Sequence, residues 1–178
     1  MSTLNYTHIL TQTVDELSTP ESLEGLFHQH NDGNPLPSGK ALEEIISLSR
    51  AILFPGYFGK SSVNTRTIRY HIGVNIERLH KLLADQVMAG LCFSVKDDDN
   101  AYFVELQDKA EGIAAQMIER LPRIRSILAT DVEAAYNGDP AAENYGEIIS
   151  CYPVIKAITN YRIAHELLVL GVPLIPRI

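Results

Sequence analysis

The residues from 65 to 90 constrain the fold more than any other stretch. Ile68, Ile72, Ile76, Leu79, Leu83 and Val87 recur at 4-4-3-4-4 spacing, which lines one face of a helix and has no counterpart in the two-residue period of a strand. Gly90 is placed to end this helix. Two more runs share the period. Leu42, Ile45, Ile46, Ile52 and Leu53 make one face between Ser38 and the segment LFPGYFG, and Phe103, Leu106, Ala110, Ile113, Met117 and Leu121 make another. Pro122 is expected to open a further helix carrying Ile124, Ile127, Leu128, Asp131 and Ala135 on one side. A last helix, PVIKAITNYRIAHELLVLG, starts after Tyr152 and is closed by Gly171, and the tail VPLIPRI reads as extended. No stretch alternates like a strand. The expected fold class is all-α, an antiparallel helical bundle of about five to seven helices.

Two parts are expected. Residues 1–38 read as an N-terminal helical arm, with weak helices near 4–18 and 20–29 followed by the loop HNDGNPLPSG. Residues 39–178 hold the strong helices. LFPGYFG carries three aromatics, Phe54, Tyr57 and Phe58, which must be buried against something, and packing is preferred over ligand contact. His71 and His80 border the long stripe as boundary or surface residues.

The formal net charge of -7, without a basic run, argues against nucleic-acid partners, because phosphates demand clustered Lys and Arg. Cys92 and Cys151 match no metal spacing, and the N-terminus has no secretory pattern. No segment is long enough to span a bilayer, so no membrane partner is expected and a reduced, cytoplasmic setting is. His28, His30 and Asp32 are metal-capable but read as a solvated loop. Asp97-Asp98-Asp99-Asn100 lacks the alternating ligands and distal Glu of a calcium loop. No metal site is expected.

The polar residues worth attention lie between Asp131 and His165. Asp131 falls on the apolar side of its helix, where a carboxylate needs a partner or a task. A salt bridge pinning two helices, with Arg162 as candidate partner, is the plain reading. Asp139 follows Gly138 and precedes Pro140, which suits an N-cap with Pro in the first helical position. A functional Asp139 would instead use an exposed oxygen to hold a cationic amine. Between Asp139 and Ser150 the chain reads as a short polar segment. On the last helix, Arg162 and Glu166 stand at i,i+4, with Asn160 and His165 nearby. His165 could serve as a base only beside a substrate site; otherwise it is a surface or interface histidine. There is no P-loop, no Rossmann glycine fingerprint and no G-x-S-x-G, so no self-contained catalytic site is legible.

Two elements taken together resemble a known family. They are a D-x-x-A helix ending in G-D-P-A at Gly138 to Ala141, and the run A-x-x-x-Y-R-I-A-H from Ala157 to His165. Both look like the helical N-terminal region of serine O-acetyltransferases, which belong to the hexapeptide-repeat acyltransferases. The resemblance covers roughly Gly39 to Ile178, and LFPGYFG with the long helix after it resembles a subgroup with an extended helical part. It implies a domain followed in the family by a left-handed parallel β-helix. It also implies the transfer of acetyl from acetyl-CoA to L-serine in cysteine biosynthesis. In the family the base is a histidine supported by an aspartate, and both belong to the β-helix, as does the acetyl-CoA site.

On that resemblance Asp139, with Pro140, is substrate-binding, contacting serine. Asp131, Arg162 and His165 are structural or site-supporting, and no catalytic residue lies in residues 1–178. No cofactor is expected in this region, acetyl-CoA being a co-substrate of the intact enzyme. The implied partners are further copies of the chain, in a trimer-based assembly or hexamer, and O-acetylserine sulfhydrylase through the missing C-terminus. The sequence is therefore expected to lack the β-helix and to be inactive alone. The apolar tail from Val172 to Ile178 is read as packing onto something that follows. The rival reading is a stand-alone all-α module for self-association or partner binding, without chemistry.

Overall fold

The computed structural model describes residues 6–23, 35–59, 62–94 and 100–178. The clusters His28/His30/Asp32 and Asp97–Asp99 lie outside the described residues. Among those described the chain is all-helical: α1 (Tyr6–Leu17), α2 (Pro20–Leu23), α3 (Gly39–Leu53), α4 (Ile68–Phe93), α5 (Asn100–Gly138), α6 (Tyr145–Cys151) and α7 (Pro153–Val169), with a closing 3-10 turn at Ile175–Arg177. No helix among them is long and apolar enough to cross a membrane.

The chain divides into two compact units, Met1–Asn34 and Pro35–Ile178. The first contains α1 and α2. Tyr6, Leu10, Val14 and Leu17 fall along α1 at helical spacing, and the helix stops where the Ser18 hydroxyl and amide turn back onto the Val14 carbonyl.

The second unit is a helical bundle. Ser38 starts α3, its side chain accepting the Ala41 amide at 3.3 Å, while its own N–H reaches Oε1 of the buried Gln86 in α4 at 2.7 Å. Ile45, Ile52 and Leu53 are buried, as the stripe predicts. Phe54 is buried and meets Phe58 edge-on, and the Tyr57 hydroxyl lies over Gly146. Phe54 and Phe58 thus pack as expected, whereas Tyr57 stays half exposed. In α4 only the second half of the stripe is deeply buried, from Leu79 through Leu83 and Val87; from Gln86 to Cys92 every residue is inside.

Pro122 does not begin a helix; it lies inside one helix of 39 residues. Proline there removes a ladder hydrogen bond and costs about 3 kcal/mol. The buried positions Met117, Leu121, Ile124, Leu128 and Val132 nonetheless stay in phase across it. Arg120 pairs with Glu166 of α7 at 2.5 Å just before the proline, and Arg125 grips α3 just after it. Burial on both sides outweighs the lost bond.

Gly90 does not end α4, which runs on to Phe93. A Cβ at Gly90 would stand 2.9 Å from the Pro173 carbonyl oxygen and 3.1 Å from Ile175 Cγ1, so the glycine makes room for the tail. The tail, in turn, is not extended but folds into the closing 3-10 turn. Gly171, at φ 78°, closes α7 with the paired bonds of a Schellman motif, Gly171 N–H to Leu168 O at 2.9 Å and Val172 N–H to Leu167 O at 3.0 Å. Val172 and Ile175 are then buried in the bundle. Finally, the supposed polar segment before Ser150 contains a helix, α6, whose N-cap Asn144 accepts the Glu147 amide and whose Ile148 and Ile149 are buried.

Candidate functional site

The chain leaves α5 at Gly138 and turns at once. Asp139 at the first turn position and Pro140 at the second suit a tight turn, closed by the Ala142 N–H on the Asp139 carbonyl at 3.1 Å. The Asp139 side chain reinforces it, Oδ1 accepting the Ala141 N–H at 2.9 Å. Asp139 is therefore not a helix N-cap and Pro140 is not a first helical residue; the cap of the next helix is Asn144. The turn wins because proline fixes φ and removes a donor just where the chain reverses, and α6 starts only at Tyr145.

The second oxygen of Asp139 meets a residue that sequence reasoning did not single out. The Tyr152 hydroxyl donates to Oδ2 at 2.5 Å. Tyr152 sits in the one-residue joint between α6 and α7, extended at φ -82° and ψ 117°, as the following Pro153 demands. Its N–H closes α6 on Ile148 O at 3.3 Å, and its ring packs against the core. The phenol and the Ala141 amide hold the Asp139 carboxyl below the usual carboxylate range, and the same hydrogen bond pushes the Tyr152 phenol up to about 12. No signal at a separation of 13 residues could have shown this pair.

Asp131 and Arg162 do meet. Arg162 Nε donates to Oδ2 and Nη2 to Oδ1, both at 2.7 Å, in a bidentate pair that joins α5 to α7 and raises the guanidinium pKa. Glu166 does not serve Arg162 along the helix; it reaches across to Arg120 at 2.5 Å. Cross-helix partners win here because both side chains point toward α5. Asn160 is occupied as well, accepting Arg50 Nη2 at 2.7 Å. His165 is exposed and tilted against Tyr161, at the rim of a shallow cavity of about 110 Å3 lined also by Ile124, Ile127, Arg162 and Glu166.

The two aspartates therefore do different things. Asp131 is neutralised by a cation. Asp139 takes both of its hydrogen bonds from neutral donors, and among the described residues no ion pair includes it. A carboxylate offers about four lone-pair sites, so two remain for a ligand. An anion of that kind suits an ammonium group. It does not suit proton abstraction, for which its depressed pKa makes it too weak. Among the described residues no group of His, Cys, Asp and Glu is arranged to hold a metal ion.

No family model matches the chain. It is 38% identical over 146 residues to a plasmid serine acetyltransferase of Synechococcus elongatus, an alignment covering 81% of this chain and 46% of that protein. Two solved structures share the helical fold. Serine acetyltransferase 1 of Entamoeba histolytica in complex with L-cysteine matches at TM-score 0.59 and 28% identity, over 97% of this chain and 54% of that one. The native form of the same enzyme matches at TM-score 0.57 and 31% identity, over 97% of this chain and 56% of that one. The chain spans about half the length of these relatives, and the all-helical bundle is the part they have in common.

Proposed function

We propose that this chain is the helical N-terminal part of a serine O-acetyltransferase, the enzyme that moves the acetyl group of acetyl-CoA to the hydroxyl of L-serine. The products are O-acetyl-L-serine, a precursor of cysteine, and CoA. The observation that carries this reading is an Asp139 carboxylate that takes its hydrogen bonds from neutral donors and, among the described residues, joins no ion pair, within a chain 38% identical to a serine acetyltransferase over 81% of its length.

In this reading Asp139 accepts the substrate's ammonium, and Pro140 keeps the turn in shape. A charge-assisted hydrogen bond of that kind contributes about 1.5–3 kcal/mol, roughly a tenfold to hundredfold effect on serine binding. The base that takes the hydroxyl proton is a histidine supported by an aspartate in a left-handed β-helix, which also holds acetyl-CoA. Residues 1–178 alone then give little or no acetyl transfer. Asp131 and Arg162 fix the helices behind the turn, and His165 is a surface residue of the same face. Residues 1–38 form an arm and 39–178 the helical domain proper. The setting is the cytoplasm, the assembly is trimer-based or a hexamer, and O-acetylserine sulfhydrylase is the partner enzyme.

The test is a thiol-release assay with acetyl-CoA and serine. Residues 1–178 should be silent, and the complete acetyltransferase carrying them active. There, Asp139→Asn should raise the KM for serine by about tenfold or more and leave that for acetyl-CoA nearly unchanged. Turnover by residues 1–178 would show that the base is among these helices. Unchanged serine kinetics in Asp139→Asn would remove Asp139 from the site.

A further inference from the structure

We infer that Tyr152 is a positioning residue for serine: its hydroxyl, 2.5 Å from Asp139 Oδ2, holds the carboxylate plane so that its free lone pairs face the substrate amine. This rests on the amine-holding role proposed for Asp139.

The last torsion of an aspartate is soft and roughly two-fold, so one hydrogen bond leaves the carboxylate free to rock. Here each oxygen is tethered by a different element. Oδ1 is held by the Ala141 amide of the turn and Oδ2 by the phenol at the α6–α7 joint. The phenol is itself anchored, because Pro153 keeps Tyr152 extended, its N–H closes α6, and its ring is packed on the core. The direction of the carboxylate is thus set by the junction of two helices and not by the turn alone.

The choice of donor matters as much as the geometry. Arginine in this place would neutralise the carboxylate, as Arg162 neutralises Asp131. A neutral phenol orients the anion and leaves its charge to attract an incoming cation. The other titratable groups acting on Tyr152 are Glu147 and Cys151, and both favour the neutral phenol. Between the depressed titration of Asp139 and the loss of serine's ammonium in base, Tyr152 stays a donor and Asp139 stays an acceptor.

Tyr152→Phe keeps the ring and removes only the hydroxyl. In the complete acetyltransferase carrying this sequence, it should raise the KM for serine several-fold, with kcat and the KM for acetyl-CoA little changed. In an Asp139→Asn background it should add nothing, since the effect passes through Asp139. In residues 1–178, carbon-13 titration should show the Asp139 carboxyl moving up toward ordinary aspartate behaviour when Tyr152 becomes Phe. An unchanged serine KM in Tyr152→Phe, with Asp139→Asn still impaired, would overturn the positioning role alone. If Asp139→Asn is also silent, the amine-holding role falls and this one with it. Equal losses for both substrates, tracking a lowered melting temperature, would reduce Tyr152 to a structural pin.

Discussion

Asp131 and Arg162 meet side-on, Nε and Nη2 of the guanidinium each donating at 2.7 Å to a different carboxylate oxygen. The pair fastens the C-terminal third of α5, which leads into the Asp139 turn, to the middle of α7, which begins one residue after Tyr152. It spends the charge of one aspartate on the scaffold, so that only the other is left with an anion to offer.

Breaking that pair should loosen the bundle. The side chains are 18% and 23% exposed, between the surface case and the buried one. Asp131→Ala is expected to cost about 1–3 kcal/mol, more than a surface bridge and less than a fully buried pair. Arg162→Lys should recover little, because a point charge cannot reproduce two parallel bonds. Urea unfolding of the three proteins checks this, and a loss below about half a kcal/mol, the size of a surface effect, would contradict it.

Glycines in these helices should respond in opposite directions. A methyl added at Gly112 would have nothing within 4 Å, so Gly112→Ala should stabilise by about 0.5–1 kcal/mol. At Gly90 the methyl would meet the Pro173 carbonyl at 2.9 Å, so Gly90→Ala should destabilise by about 1–3 kcal/mol. Thermal melts of both variants decide it; a Gly90→Ala variant as stable as Gly112→Ala would place the tail elsewhere.

Arg125 should count as a helix cap. Its Nε donates to the Leu53 carbonyl at 3.0 Å and its Nη2 to that of Ile52, satisfying the C-terminal end of α3. Arg125→Met keeps the stem and removes both donors, with an expected cost of about 1–2 kcal/mol. Hydrogen exchange should show faster opening in the last turn of α3 than in α7. Uniform protection would argue that water replaces the guanidinium without loss.

The Asp139–Tyr152 pair should leave a signature at both ends of the pH scale. Asp139 has a depressed pKa in the fold, so its contribution is present above about pH 4 and is lost as pH falls through the folded value. Tyr152 is raised to about 12, so its contribution is complete below the ordinary phenol value near 10 and fades as pH rises toward 12. The stability gap between the unmutated chain and Tyr152→Phe should be flat from about pH 5 to 9 and narrow outside it. Urea midpoints across the range would show this, and ultraviolet difference titration should show one late-titrating tyrosine missing in the variant. A gap independent of pH would dissolve the coupling.

Helix type, the inward faces of α3 and of the second half of α4, and the inward place of Asp131 were legible because a 3.6-residue period is a local property that side-chain polarity reports directly. Boundaries were not. Pro122 and Gly90 read locally as breaks, and both lie inside helices because packing across them outweighs their intrinsic cost. Short α6 was hidden by its polar start, and its apolar pair Ile148–Ile149 matters only once α5 is beside it.

An all-helical body, the aspartate that faces inward, and the interruption of the helices at Gly138 to Pro140 each follow from chemistry within a few residues. Arg162 was already a candidate partner for Asp131, but packing alone settles that they meet, that Tyr152 takes the other carboxylate, that Arg125 caps a distant helix, and that the tail returns over Gly90. Those pairings join residues separated by 13 to 85 positions in the chain, and they depend on where whole helices come to rest. A periodicity cannot encode that, because it says which way a side chain faces and not which side chain will be facing it.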